Sequence, residues 1–328
     1  MINGKQRWGL AVPMATGLLV LSGCGAASTP TASASGSTPV SLVTNWFPEP
    51  EQAGQYAALL NGDYKKHGLK MKVEPGGPQV SAIPLVASGK VTFGISSADS
   101  LLEARQKGIP VVAVFATFQT DPQVLIYHKN AGVHSFASMN GHPVYVSAAA
   151  DYWSYISSKY HLTVRLMNYT GSLSPFEQNP RAIIQGYATE EPYTLKQHHV
   201  AIGYKMVSSS GFNPYQNVLF TTQQEIKNHP QVVRDVVAAT EAGWKQYFQN
   251  PGPTNSLLKK DSPSLTDGGM KYAASHEKSL IEPRQGPRLG TMTATRWNVL
   301  ARQMKGLGLL SHQSVVKGAY TNRFLPGS

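Results

Sequence analysis

A single cysteine, Cys24, stands in this 328-residue chain, so no disulfide can form within it and an ordinary hydrophobic core must hold the fold. Charged residues are scarce at 14% of the chain, and acidic ones are scarcer than basic, 18 against 29, for a net charge of +11. That surplus is dispersed, with no basic run denser than Lys65-Lys66 or Lys259-Lys260. A basic exterior facing an anionic cell envelope is the simpler reading, and nucleic acid is not expected as a partner. The most apolar stretch, 8–21, is short and interrupted by Pro13, which argues against a permanent membrane span. No repeat of fixed short period is present, which excludes solenoids and propellers. Nucleophile-elbow, P-loop and metalloprotease motifs are also missing, so no catalytic residue, metal or cofactor is expected.

What the chain does have begins at its start. Lys5 and Arg7 precede the run 8–21, the layout of a secretory signal spanning 1–23. Leu21-Ser22-Gly23-Cys24 resembles the lipobox of bacterial lipoproteins. That resemblance implies lipidation at Cys24 and a chain held by its lipid alone on the outer face of the bacterial cytoplasmic membrane. Residues 24–39 are almost entirely Gly, Ala, Ser, Thr and Pro, a composition unable to bury enough apolar surface to fold, and they read as a flexible linker.

From Val40 onward short β-rich runs alternate with helical stretches, the rhythm of an α/β protein with largely parallel sheets. The pattern predicts strands at 40–46, 69–74, 93–96 and 111–118, separated by helices at 54–66, 80–88 and 98–107. The second half repeats it, with strands at 124–128, 143–147, 164–168, 201–207 and 218–221 and helices at 149–160 and 175–185. Segment 230–249 is the clearest helix, with Pro230 at its start, an apolar stripe through Val233, Val236, Val237 and Trp244, and Pro251 beyond its end.

Asn45-Trp46-Phe47-Pro48, Ala53-Gly54-Gln55-Tyr56-Ala57-Ala58, Gly62-Asp63-Tyr64 and Gly68-Leu69 resemble the opening of a known family. The likeness continues through Pro84-Leu85-Val86-Ala87-Ser88-Gly89-Lys90, Phe93-Gly94-Ile95-Ser96 and Ala104-Arg105-Gln106-Lys107-Gly108-Ile109-Pro110. It resumes weakly at Asn140-Gly141-His142-Pro143 and at Gly186-Tyr187-Ala188-Thr189-Glu190-Glu191-Pro192-Tyr193. The family is that of substrate-binding proteins of ABC importers, in the group that includes thiamine-pyrimidine, sulfonate, nitrate and riboflavin binders. One departure is Thr92, where an acidic residue is usual. The resemblance implies a periplasmic-binding-protein fold of type II: two α/β lobes, each a mainly parallel sheet flanked by helices, joined by two crossover hinge segments. Lobe I would comprise 40–123 plus 222–328, and lobe II 124–221. A monomer that delivers a small molecule to a permease and its ATPase is the implied activity.

In open α/β sheets ligands bind beyond the carboxyl ends of strands, where helix N-termini present free N–H groups. Three such junctions carry suitable side chains. Asn45, Trp46 and Phe47 set an amide beside two aromatic faces, with core packing the plain alternative for Trp46. Tyr56, in the resembling stretch that follows, joins them as a candidate. Ser96 and Ser97 offer hydroxyls where a helix begins, and equally read as its caps. Tyr152 and Trp153, from the other lobe, suggest a partner ring for Trp46 across a closed cleft. Glu190 and Glu191 complete the set, since the resemblance places an acidic residue before the proline near the cleft mouth, although a loop glutamate is as readily a solvated charge.

None of the three junctions contains Arg or Lys, and a glutamate disfavours an anion. An aromatic heterocycle is therefore expected, first a thiamine-precursor pyrimidine and next riboflavin, with sulfonate or nitrate behind them. The resembled group also has an enzymatic branch, pyrimidine synthases requiring a lysine-bound pyridoxal phosphate and a cysteine-rich iron site. With Cys24 the lone cysteine and His198-His199 adjacent, their rings pointing apart, that chemistry finds no ligands here.

Overall fold

The computed structural model describes residues 36–77, 79–148 and 150–327. The expected signal peptide, Cys24 and most of the expected linker lie outside the described residues. Gly36–Ser328 forms one compact unit. Among the described residues no helix is long and apolar enough to cross a membrane.

Among the described residues ten strands form two five-stranded sheets. The first takes β1 (Thr38–Val43), β2 (Leu69–Glu74), β3 (Phe93–Ser96) and β4 (Val111–Phe118). The second takes β5 (Gln123–His128), β6 (Pro143–Val146), β7 (Arg165–Asn168), β8 (Ile183–Tyr187) and β9 (Ile202–Met206). A last strand, β10 (Gln216–Thr222), returns to the first sheet, whose order is β2-β1-β3-β10-β4; the second runs β7-β6-β8-β5-β9. In each sheet four strands point one way and one is reversed, β10 between β3 and β4 and β5 between β8 and β9. The mainly parallel character expected of both sheets is thus present, with the reversed strand in each being the one by which the chain arrives from the other.

β4 is buried along its whole length, as its unbroken apolar run requires of a strand covered on both faces. Helix Pro230–Gln249 packs beside the first sheet and buries Val233, Val236, Val237 and Trp244. Gly243 lies so close to helix Ala53–Leu60 that a Cβ there would come 2.1 Å from the Gly54 carbonyl oxygen.

Several boundaries differ from expectation. The first strand starts at Thr38, inside the expected linker, because its ladder to β2 begins with Thr38 opposite Leu69. The helix expected at 54–66 is two helices, Ala53–Leu60 and Asp63–Lys66, broken where Gly62 takes φ +71°. The segment 175–185 is not a helix: only Ser174–Glu177 is helical, and Ile183–Tyr187 is the middle strand of the second sheet. β10 pairs with β3 and β4, so the return crossing precedes Gln216 rather than following Thr221.

The two crossings, 119–122 and 211–215, touch. Asn213 Oδ1 accepts from the Asp121 N–H at 2.9 Å. Arg296, on helix Ala294–Gly306, binds both: its guanidinium donates to the Asn213 carbonyl (2.7 Å), to Asn213 Oδ1 (2.9 Å), to the Pro214 carbonyl (2.8 Å) and to the Gln119 carbonyl, and lies 4.0 Å over the Tyr215 ring.

Candidate functional site

The two lobes, each a sheet with its helices, face one another across a cleft with two compartments that share Asn45 and Trp46. Both residues follow β1, on a segment tied down by Gly76: its N–H donates to the Trp46 carbonyl at 3.0 Å and to Thr44 Oγ1 at 2.9 Å. A Cβ at position 76 would meet the Thr44 carbonyl oxygen at 2.2 Å, so only glycine lets the two segments lie this close. Asn45 is fixed on both sides, donating to Asn217 Oδ1 at 3.1 Å and accepting from Gln52 Nε2 at 3.3 Å.

The smaller compartment encloses about 570 Å³ including its open mouth. From the first lobe come Asn45, Trp46, Glu49, Glu51 and Gln52, and from the second Gln123, Tyr169, Gln185, Gly186, Tyr187, Glu190 and Glu191. Among the described residues no Lys, Arg or His lines it. Glu51 accepts from the Thr189 hydroxyl at 2.6 Å, a bond that joins the lobes, and Glu191 accepts from the Tyr187 N–H at 2.6 Å. Burial pushes the Glu191 carboxyl up to about 7, even though that N–H bond pulls it down. Burial, followed by the charges of neighbouring glutamates, Glu190 and Glu51 for Glu49 and Glu191 and Glu51 for Glu190, holds both well above the ordinary carboxylate range, and burial raises Glu51. Four acids gathered without a base favour ligands that bring hydrogen-bond donors or positive charge.

Gly186 makes this arrangement possible, since a Cβ there would stand 2.8 Å from Glu191 Cδ and Oε2. Gly186→Ala is expected to push the Glu191 carboxylate off the strand, weakening ligand binding at least about tenfold for about 1–3 kcal/mol of overpacking. Calorimetric titration beside a denaturation curve checks both effects.

The larger compartment, about 1410 Å³ including its open mouth, is lined by Ser96, Ser97, Ser100 and Ser147 together with the charged Glu103 and Lys107. Ser97 precedes helix Ala98–Gln106 without capping it; its hydroxyl donates to Ser100 Oγ at 3.0 Å.

The structure therefore brings Asn45, Trp46, Ser96, Ser97, Glu190 and Glu191 to the cleft. Phe47 is 45% exposed and packs edge-on against Trp46, with ring centroids 5.5 Å apart, outside both compartments. Tyr56 is a correction: it is buried in the hydrophobic core of the first lobe and lines neither cleft compartment. Tyr152 and Trp153 are another, since both are buried in a core continuous with Leu101 and Trp297, where a large apolar surface is worth more than exposure to a ligand. Tyr152 keeps an indirect part through its hydroxyl, which donates to Gln185 Oε1 at 2.9 Å. Tyr169 and Tyr187 supply the second lobe's cleft aromatics instead. These two, with Glu49, Glu51, Gln123 and Gln185, escaped the sequence reading. Glu49 and Glu51 directly follow the Asn45-Trp46-Phe47-Pro48 motif and were within reach of it, whereas Gln185 and Tyr187 were hidden by the misread strand.

Comparison with known proteins agrees with this architecture. The periplasmic aliphatic sulphonate binding protein SsuA of Escherichia coli superposes with a TM-score of 0.67 at 11% identity, over 86% of this chain and 91% of that one. The riboflavin-binding protein RibY of Chloroflexus aurantiacus is 25% identical over 306 residues, 88% of this chain and 86% of that protein. A 4-amino-5-hydroxymethyl-2-methylpyrimidine phosphate synthase of Legionella pneumophila is 23% identical over 303 residues, 88% and 92% of the two chains. The fold is that of solute-binding proteins, and with the family's sequence pattern matching residues 49–253, the chain belongs to the NMT1/THI5-like family.

Proposed function

We propose that this protein is the extracytoplasmic solute-binding component of an ABC importer, and that it carries a small aromatic heterocycle bearing amino groups, a thiamine-precursor pyrimidine. The observation behind this reading is the acid-lined compartment beside Trp46, with four glutamates and no basic residue among its described lining. An aminopyrimidine presents an amino donor next to a ring nitrogen, and a carboxyl held near neutrality pairs with both, accepting from one and sharing a proton with the other. Trp46 supplies a face for the ring. The chain binds and does not transform its ligand: one cysteine cannot build a cysteine-rich iron site. Anchoring through Cys24 would keep the binder concentrated near its permease.

Riboflavin is the second reading, favoured by the relative of that name and by the adjoining serine-lined compartment, which offers hydroxyls to a polyol chain. Thermal denaturation of the full-length protein with aminopyrimidines, riboflavin and alkanesulfonates separates the two. The expected result is stabilisation by an aminopyrimidine, about 2.7 kcal/mol at a hundredfold excess over Kd. Indifference to every aminopyrimidine overturns the ligand assignment. Trp46→Ala should weaken binding at least about tenfold through lost stacking and burial, with the fold retained.

A further inference from the structure

Three of the cleft's carboxylates stand closer together than ligand recognition by single hydrogen bonds requires. One carboxylate oxygen from each of Glu49, Glu51 and Glu190 lies within 4.8 Å of the other two. Each is presented by a defined local structure. Glu49 precedes the short 3-10 helix Pro50–Gln52 and closes a capping box with Gln52, whose Oε1 accepts from the Glu49 N–H at 3.1 Å. Glu51 is 2% exposed, its carbonyl accepts from Asn217 Nδ2 at 2.8 Å, and its Oε1 accepts from Thr189. Its other oxygen, Oε2, is buried without a hydrogen-bond partner among the described residues, on a side chain that lines the cleft. Glu190 stands at the N-terminus of helix Glu191–Gln197, in the opposite lobe.

We propose that Glu49, Glu51 and Glu190 form a site for one hard divalent cation, Ca²⁺ or Mn²⁺, which bridges the two lobes at the floor of the acid-lined compartment. Oxygen-only donors select hard ions over the softer metals that thiolate or imidazole would take. The three oxygens lie within 4.8 Å of one another, close enough for one ion to touch all three, and a partly built carboxylate set suits Ca²⁺, which takes oxygens at about 2.3–2.6 Å in flexible geometry, better than Mg²⁺, which dehydrates reluctantly and demands a near-ideal octahedron. A cation here gives the orphaned Glu51 oxygen a partner and removes the repulsion among three acids that lack a basic neighbour. Two ligands come from the first lobe and one from the second, so ion binding favours the arrangement in which the lobes meet. The site does not depend on which ring the cleft accepts.

Titrating the EDTA-stripped full-length protein with CaCl₂, MnCl₂ and MgCl₂ by calorimetry tests it. One equivalent of Ca²⁺ or Mn²⁺ is expected to bind, more tightly than Mg²⁺ and with a rise in melting temperature. Glu51→Gln should weaken that binding at least about tenfold while leaving the melting temperature in EDTA equal or higher, since it removes a repelling charge. Glu190→Gln should do the same from the other lobe, and Glu225→Gln, on an exposed helix away from the cleft, should change nothing. Absence of binding up to about 1 mM of all three salts overturns the proposal, because weaker affinity lies outside the range of protein Ca²⁺ sites. So does binding that survives both Glu51→Gln and Glu190→Gln. The heterocycle titration is run separately in EDTA, so failure of the cation site leaves the ligand assignment standing.

Discussion

Arg296→Leu is expected to destabilise the folded protein by about 3 kcal/mol or more, although Arg296 touches neither cleft compartment. Its guanidinium is the shared donor for the carbonyls of Gln119, Asn213 and Pro214, and so for both chain crossings between the sheets. Leucine retains apolar volume over Tyr215 but donates nothing, leaving three carbonyl oxygens and Asn213 Oδ1 short of a partner. Hydrogen bonds from a charged donor contribute about 1.5–3 kcal/mol each, and a buried acceptor left unmade costs a comparable amount. The losses overlap, because the acceptors relax together, so the total falls below their sum. Arg296→Lys should recover only part of the loss, since a single ammonium cannot span acceptors on both crossings as the planar fork does. Urea denaturation of the three proteins decides it. Equal midpoints for the wild type and Arg296→Leu would show that the crossings hold without this clamp.

Neither the clamp nor the pairing of β10 was legible in the sequence. The runs giving β2, β3 and β4 and helix Pro230–Gln249 were read at their observed positions because each carries its own signal: an unbroken apolar run for β4, a starting proline and an apolar stripe for the helix. Whether β10 pairs with β3 or with the second sheet depends on distant hydrogen-bond partners, and no feature of Gln216–Thr222 names them. β8 was lost for another reason. Its apolar core, Ala182-Ile183-Ile184, is three residues long and follows a proline-started helical turn, so periodicity cannot separate a short buried strand from the end of a helix. Aromatic candidates divided likewise. Trp46 sits half-buried in the cleft, whereas Tyr56 and Trp153 are core, and an aromatic at a strand-to-helix junction satisfies both descriptions equally until the opposing surface is known. Glu190 and Glu191 were placed near the cleft mouth by the family resemblance, not by any local pattern, and the fold puts both in the lining of the smaller compartment.

Asp121, in the first crossing, carries the second large expectation. It is fully buried, its Oδ1 accepts from the Gln123 N–H at 2.9 Å, and its Oδ2 has no hydrogen-bond partner among the described residues. Burial pushes its carboxyl from 3.8 up to about 7; the negative charge of Asp99 adds to the rise, while the Gln123 N–H, the positive charge of Arg296 and the nearby Gln216 side chain oppose it. The folded chain therefore holds a proton that the unfolded chain releases between those two values. Stability must then fall as pH rises through that window, and above it the ionised carboxylate costs up to about 4 kcal/mol. Asp121→Asn keeps the acceptor for Gln123 and removes the charge, so it should lessen the pH dependence, to which Glu191, raised to about 7, also contributes, and make the variant more stable than the wild type at pH 8. Asp151, raised to about 8 by burial and by Asp99 and Glu103, adds a slope of the same sign that the substitution leaves in place. Denaturation midpoints for both proteins from pH 5 to 8 test the sign: parallel curves would mean that Asp121 ionises normally. The two crossing residues should also couple, since Arg296→Leu removes the cation opposing the rise at Asp121. In the Arg296→Leu background, Asp121→Asn is accordingly expected to stabilise by more than it does alone.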